Sequence, residues 1–505
     1  RSERTLPDRR HRLPGPGPLR SGLGVATSAR PSPPVGPGRA RAGGISAALW
    51  LVLAVVALGA IVLSPLPTLA ASFQPKRPPA GNLPWLSVHG GQITNSRGES
   101  VILRGFNDDA LLQSGRSPLP PPLTLRDALL MRAQGFDVVR IPVSWSLLEP
   151  RPGRFSQSYL RKVEAMVDLC ARAGLYTVLD LHTEDFGVAF GGSGAPSWLT
   201  LPALPDWHFP VVPAAWQRHL SPAVNADLAF FWLYPNWQRL YWQAWRELAR
   251  PLAGDSAVAG FDLYNEPHPL PVPPGIFAPR ILFPFYAAGV REIAQVDPNH
   301  LFIIEGDLFG DLPTRVDPLR APDLVFSTHL YAGSLIGGSF HGQSAPLRSE
   351  LTQGISEAAQ IPAAYWTGEL GIDHQLPGAT SWALTEIALS DQYRTGWAWW
   401  QWDDPAGWGV RTGTGPVDRA WLDTLSQPYV QAAPGRLLSM AYSASRRVLA
   451  ARFAEVSSPA VADVAWPASL PSPHLLGGCA QLAGAYPGGV RVRILTPDCT
   501  VTLAA

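Results

Sequence analysis

Between residues 101 and 402 the chain alternates short, nearly continuous apolar runs with longer stretches of helix-period sequence. The runs are Val101–Asn107, Asp137–Val143, Leu175–Leu181, Val258–Tyr264, Leu301–Glu305, Leu324–His329, Ala363–Glu369 and Gly396–Trp402. A strand buried on both faces reads as an unbroken apolar run because neither side meets water, which is the habit of parallel sheets. Helical stretches at Tyr159–Ala173, Asn236–Leu252, Pro284–Gln295 and Ser349–Ala359 separate most of the runs. The pattern predicts an α/β fold, a (β/α)8 TIM barrel over residues 85–425. After Leu422 the helical period ends, and Leu437–Ser443, Arg447–Phe453, Val461–Trp466, Gly489–Leu495 and Cys499–Leu503 predict a C-terminal β-sandwich over residues 430–505.

Polar or ionisable residues close the apolar runs: Arg140, His182, Asn265 with Glu266, Glu305, His329, Glu369 and Trp402. Barrel enzymes do their chemistry at these C-terminal strand ends. Glycosidic cleavage needs one carboxyl to protonate the leaving oxygen and another to attack or to activate water. Glu266 in Leu263-Tyr-Asn-Glu-Pro267 and Glu369 in Trp366-Thr-Gly-Glu-Leu-Gly371 are the candidates. Arg140 would keep Glu369 ionised through a charge-assisted hydrogen bond, and Tyr331 would donate to the same carboxylate. Asn265 would hold a sugar hydroxyl beside the reacting carbon, while His182 and His329 would orient substrate or the acid. Glu305 is the rival for the acid role, and Asp180 is expected to be a structural partner inside the barrel.

Composition narrows the class. Residues 1–44 carry nine Arg against two acids in a chain of formal charge +1, so the remainder is acidic and no nucleic-acid partner is expected. The basic stretch lacks apolar periodicity and is expected to be a disordered leader. Residues 45–71 join an uncharged apolar run to a small-residue exit, the pattern of an export signal or a single signal anchor, which predicts a secreted or cell-surface protein. Cys479 and Cys499 are expected to form a disulfide, and Cys170 to be buried. No Cys/His spacing suggests a metal, and no cofactor is expected. The 19 Trp suit stacking on sugar rings as well as core packing. The connection from Thr183 to Pro235, rich in Phe and Trp, is expected to face substrate.

Asn-Glu-Pro after an apolar strand, Gly-Glu-Leu-Gly later, Val138-Val-Arg-Ile-Pro142 and His329-Leu-Tyr331 together resemble glycoside hydrolase family 5. Leu103-Arg-Gly-Phe-Asn107, Asp180-Leu-His182, Gly192-Ser-Gly-Ala-Pro-Ser-Trp198, Phe261-Asp-Leu-Tyr-Asn-Glu-Pro267 and Tyr429-Val-Gln-Ala-Ala-Pro-Gly435 make it most similar to the endoglycoceramidase-like branch. The resemblance covers residues 85–505. It implies a retaining mechanism with Glu266 as acid/base and Glu369 as nucleophile, Arg140 and Tyr331 as the nucleophile's partners, and Asn265, His182, His329 and Trp402 at the sugar. Where the branch typically has His-Gln-Asp this chain reads His182-Thr-Glu184, so the sugar-hydroxyl contact at Glu184 is lengthened or shifted. The substrate implied is a glycan on an amphiphilic aglycone, a glycosphingolipid, with contact to a membrane surface. A polysaccharide or a simple alkyl or steryl β-glucoside is the alternative, and a silent carbohydrate-binding barrel the third reading.

Overall fold

The computed structural model describes residues 83–112, 121–201, 221–269, 272–307, 319, 321–335, 339–404, 406–413, 415–457 and 459–505 of the chain. Parallel strands β1 (Arg104–Asn107), β2 (Val138–Val143), β3 (Tyr176–Leu181), β4 (Val258–Asp262), β5 (Leu301–Glu305), β6 (Leu324–Leu330), β7 (Ala364–Leu370) and β8 (Gly396–Trp399) close into a barrel. They pair in chain order, and β8 returns to β1 with Trp397 opposite Arg104. The TIM barrel read from the apolar runs is therefore present. Strands β4 and β8 end earlier than their runs, because beyond Asp262 and Trp399 the chain leaves the sheet to build the mouth.

Strand side chains alternate between the two faces of a sheet, so one row of every strand points into the barrel. At the base these rows supply Val138, Val178, Leu301, Ile303, Val325, Ala364, Trp366 and Ala398, a single apolar cluster. Continued toward the mouth, the same rows supply Arg140, Asp180, Glu305 and His329, all buried. Strand β7 departs from the count: a register shift against β6 between Thr367 and Glu369 brings the glutamate to the inner row.

The base of the barrel is corked by a hairpin, Leu86–His89 and Gln92–Asn95, whose Leu86 and Ile93 join the apolar cluster inside. Its turn is Gly90-Gly91, both at positive φ (57° and 73°), the backbone a two-residue hairpin demands and glycine supplies without strain. Residues from 85 onward were expected in the barrel, and here the structure corrects the boundary. The hairpin and Ser100–Val101 belong to an antiparallel sheet completed by Tyr429–Ala433, Ala460–Ala465, Gly489–Ile494 and Ala480–Tyr486. Strands this short show no period of their own.

A second sheet, Arg436–Ser443, Val448–Ala454, Cys499–Ala504 and His474–Leu476, supplies the other antiparallel layer. Val430, Met440, Phe453, Val464, Val492 and Leu503 from the two sheets share one core. The C-terminal β-sandwich thus draws strands from both sides of the barrel in sequence. Cys479 and Cys499 are disulfide-bonded and Cys170 is buried in the helix Gln157–Ala173.

The leader and the export segment lie outside the described residues. Among those described, no helix is long and apolar enough to cross a membrane. The aromatic connection is in part a helix, Pro222–Leu233, whose Phe231 and Trp232 pack on Tyr264 and Phe285. The expectation that these two face substrate is corrected, since both are buried core residues. Phe190 and Trp198 stay partly exposed, and Trp207, Phe209 and Trp216 lie outside the described residues.

Candidate active site

Arg140, in the middle of β2, is fully buried beneath the mouth. Its Nη1 donates to Glu369 Oε1 at 2.6 Å and to Asn107 Oδ1 at 3.1 Å. Nε donates to Asp262 Oδ2 at 2.9 Å, and Nη2 donates to Asn265 Oδ1 and faces Asp180 Oδ2, both at 3.0 Å. A guanidinium buried without partners would be very costly, and its fork is saturated by groups from β1, β3, β4 and β7. The barrel mouth is thereby tied together through one side chain.

Glu369 also accepts from the Tyr331 hydroxyl at 2.9 Å. Glu266 hydrogen-bonds His329 Nδ1 at 2.8 Å, and the other ring nitrogen faces Glu305 at 3.2 Å. The Glu266 backbone sits at φ 46°, in the left-handed region, which costs a non-glycine residue roughly 1–2 kcal/mol. Glu305 Oε2 accepts the Glu266 backbone N–H at 2.8 Å and holds that turn. The rival for the acid role is instead the brace of the acid: Glu305 is fully buried and occupied by His329 and Glu266.

One carboxylate oxygen of Glu266, one of Glu369 and a ring nitrogen of His329 lie within 4.8 Å of one another. That spacing could suit a cation. A proton competes for the same ring: burial works against a charged imidazole, but Glu305, Glu369 and the bond to Glu266 outweigh it and raise the His329 pKa well above its ordinary range. A metal would have to displace that proton to reach the ring's lone pair.

The two glutamates are held in opposite states. Burial lifts the Glu266 carboxyl to about 7, with His329 pulling only part of the way back. Burial acts on Glu369 too, but His329, Arg140, His182 and the Tyr331 hydroxyl overcome it and lower this carboxyl below its usual range. A proton donor therefore faces a carboxylate, the arrangement that acid-assisted displacement at a glycosidic carbon requires.

The remaining predicted residues divide. Asn265 is held by Arg140 and donates to the Thr183 carbonyl at 3.1 Å. His182 is paired with Asp180 at 2.6 Å and stacks on Trp400, ring centroids 5.8 Å apart at 16°. Glu184 lies in the loop that follows, its backbone bonded to Ser193 and its side chain partly exposed. Trp402 is corrected: it is fully buried against Phe106 and presents no face to a ligand. Trp400, two residues earlier and just past the end of β8, is the partly exposed indole at the mouth. Sequence reasoning also passed over Asn107 and Asp262, although each ends or nearly ends an apolar run.

A family model described as cellulase (glycosyl hydrolase family 5) matches residues 110–405, more than half of the chain. The chain belongs to glycosyl hydrolase family 5. Within this family it is 25% identical over 418 residues to endoglycoceramidase I of Rhodococcus hoagii (strain 103S), covering 74% of this chain and 78% of that one. Among solved structures, endo-glycoceramidase II from Rhodococcus sp. in complex with ganglioside GM3 superposes with TM-score 0.73 at 25% identity, covering 82% of this chain and 99% of that one. The structure of an endogalactoceramidase gives TM-score 0.69 at 26% identity over 84% and 100%. The family 5 protein is a glycoside hydrolase, and its likeness to the endoglycoceramidases runs through both the barrel and the β-sandwich.

Proposed function

We propose that this family 5 protein is an exported retaining β-glycosidase that cleaves the bond between a glycan and an amphiphilic aglycone of the glycosphingolipid kind. The observation that carries the reading is the facing pair, Glu266 and Glu369, with an oxygen of each within 4.8 Å of the other. A retaining pair stands about 5 to 5.5 Å apart, whereas an inverting pair needs about 6.5 to 9.5 Å to admit a water. Glu369, ionised against Arg140 and Tyr331, attacks the sugar carbon as Glu266 passes its proton to the departing oxygen. Glu266, now a base, takes a proton from water, which releases the sugar from Glu369. Trp400 offers the sugar an aromatic face, and Phe190 and Trp198 are apolar groups for the aglycone. Likeness to endoglycoceramidases supports the lipid class. The apolar segment at 45–63 and the disulfide support export.

The test is product release from glucosyl- and galactosyl-ceramide, a ganglioside, an aryl β-glucoside and a soluble β-glucan, comparing the native protein with Glu369→Gln. Glycan released from ceramide by the native protein, with at least about a thousandfold loss in the variant, is the expected result. Activity confined to the glucan or the aryl glucoside would discard the lipid aglycone and keep the chemistry.

A further inference from the structure

Helix Pro235–Ala249 runs from the mouth toward the base, since the chain leaves it to enter β4 at Val258. Its level is fixed at the strand ends. The Tyr241 hydroxyl donates to the Leu263 carbonyl at 2.8 Å, and Trp245 Nε1 donates to the same oxygen at 3.1 Å. Tyr234, at the corner where helix Pro222–Leu233 gives way to this one, lies about two turns before Tyr241 and so projects roughly 10 Å past the strand ends. It is 43% exposed, the one exposed aromatic side chain among the described residues. Phe230 packs on its ring at 4.6 Å and on Trp237 at 4.7 Å, and Phe230, Leu233 and Trp237 stay partly exposed. Trp237 stacks in turn on Phe186, ring centroids 5.8 Å apart, in the loop that carries Phe190 and Trp198. The corner is thus continuous with the groups assigned above to the aglycone. Leu335, in the loop that follows β6, is a second exposed apolar side chain at this end of the barrel. Charge divides the surface in the same way. The chain after residue 44 is net acidic, yet the described residues from Phe186 to Arg246 hold one acid, Asp227, which is buried and accepts the Leu201 N–H at 3.0 Å. Arg239, in the first turns of the same helix, is exposed.

We propose that the corner at residues 230–237 is a bilayer-docking edge, at which Leu233, Tyr234 and Trp237 settle among the head groups of a lipid surface and Arg239 draws in its anionic lipids. This deepens the glycosidase reading and rests on its lipid-borne substrate. Tyrosine and tryptophan gather at the edge of a bilayer because the ring is buried there while its polar tip stays wet. A guanidinium beside them adds attraction to anionic head groups. A substrate whose aglycone is anchored in a bilayer reaches the mouth only if the mouth approaches the membrane, and an edge that projects past the strand ends makes the first contact. The acidic remainder of the body is held off by the same lipid charge, so docking also orients the mouth toward the surface.

The experiment is co-sedimentation of the native protein, Tyr234→Ser, Arg239→Gln and the double variant with vesicles of phosphatidylcholine alone and of phosphatidylcholine with phosphatidylserine. The native protein is expected to bind the anionic vesicles more tightly than the neutral ones and to lose that preference as salt rises. Each substitution is expected to weaken binding to the anionic vesicles about fivefold, and the pair about twentyfold. The ratio of hydrolysis rates on vesicle-borne glucosylceramide and on a soluble aryl β-glucoside should fall by the same factors. No vesicle binding by the native protein, or equal binding by the double variant, overturns the docking edge. A native dimer that Tyr234→Ser dissociates, with no binding to vesicles, would assign the corner to a second copy of the chain and overturn it as well. Vesicle binding by a protein that cleaves no glycoside would sink the glycosidase reading alone, and cleavage of both substrates without vesicle binding would sink the docking edge alone.

Discussion

Glu266 and Glu369 are the same residue type in the same mouth, and their neighbours alone set them apart. Glu369 has a guanidinium, a protonated imidazole and a phenol hydroxyl around it, while Glu266 has only His329 against its burial. The signs fix the pH response. Activity needs Glu369 ionised and Glu266 protonated, so kcat/KM is expected to fall as pH drops through the lowered range of Glu369 and again as pH rises through about 7, where Glu266 loses its proton. Tyr331→Phe removes one of the groups that lower Glu369. Its acid limb is expected to move to higher pH and its kcat/KM to fall roughly ten- to a hundredfold, the scale of one lost hydrogen bond to developing or resident charge. A pH-rate profile of both proteins checks this, and an unmoved acid limb would show that Tyr331 does not set the state of Glu369.

Side chains at the mouth are aimed by elements behind it. The turn after β6 that carries Tyr331 is gripped by two outer helices: Trp382 of Ala379–Tyr393 donates its Nε1–H to the Ala332 carbonyl at 2.8 Å, and Glu350 of Ser344–Gln360 accepts the Ala332 N–H at 3.1 Å. Trp382→Phe keeps most of the packing and removes the donor. It is expected to lower stability by about 1–3 kcal/mol and to reproduce, more weakly, the acid-limb shift of Tyr331→Phe. A lower melting temperature with an unchanged pH profile would make Trp382 structural only. The sequence made the barrel strands legible because a two-sided burial leaves an unbroken apolar run, and their ends pointed to Arg140, Glu266, His329 and Glu369. It hid what depends on a count of one or two residues. The register shift in β7 that turns Glu369 inward has no local mark, and the choice between Trp400 and Trp402, which share one strand parity, follows only once β8 is seen to end at Trp399, beyond which the chain folds Trp402 onto Phe106. The hairpin at 86–95 did carry a signal, Gly90-Gly91 between two short alternating stretches, but four-residue strands are too brief for a period to stand out.

At the scale of the molecule, the barrel and the sandwich share strands in sequence and side chains in space, so they are expected to unfold together. Arg104 shows the coupling. Its β1 backbone N–H is accepted by Asp137 at 2.8 Å, its guanidinium lies over the ring of Tyr429 in the sandwich at 4.5 Å, and Nη2 meets Asp391 of the helix Ala379–Tyr393 at 2.9 Å. The group is buried throughout. Removing one partner of a buried ion pair strands the other charge and costs about 3–5 kcal/mol. Arg104→Met, similar in length and without the charge, is thus expected to lower the melting temperature of a single transition, with loss of activity and loss of near-ultraviolet signal at one midpoint. Asp391→Asn in the same background should recover part of the loss, since it removes the carboxylate left unpaired. Separate midpoints for activity and for the β-rich signal would mean that the sandwich is an independent domain merely attached to the barrel. A single midpoint would make the sandwich, with the hairpin that corks the barrel, part of the frame that holds Arg140 and the two glutamates in place.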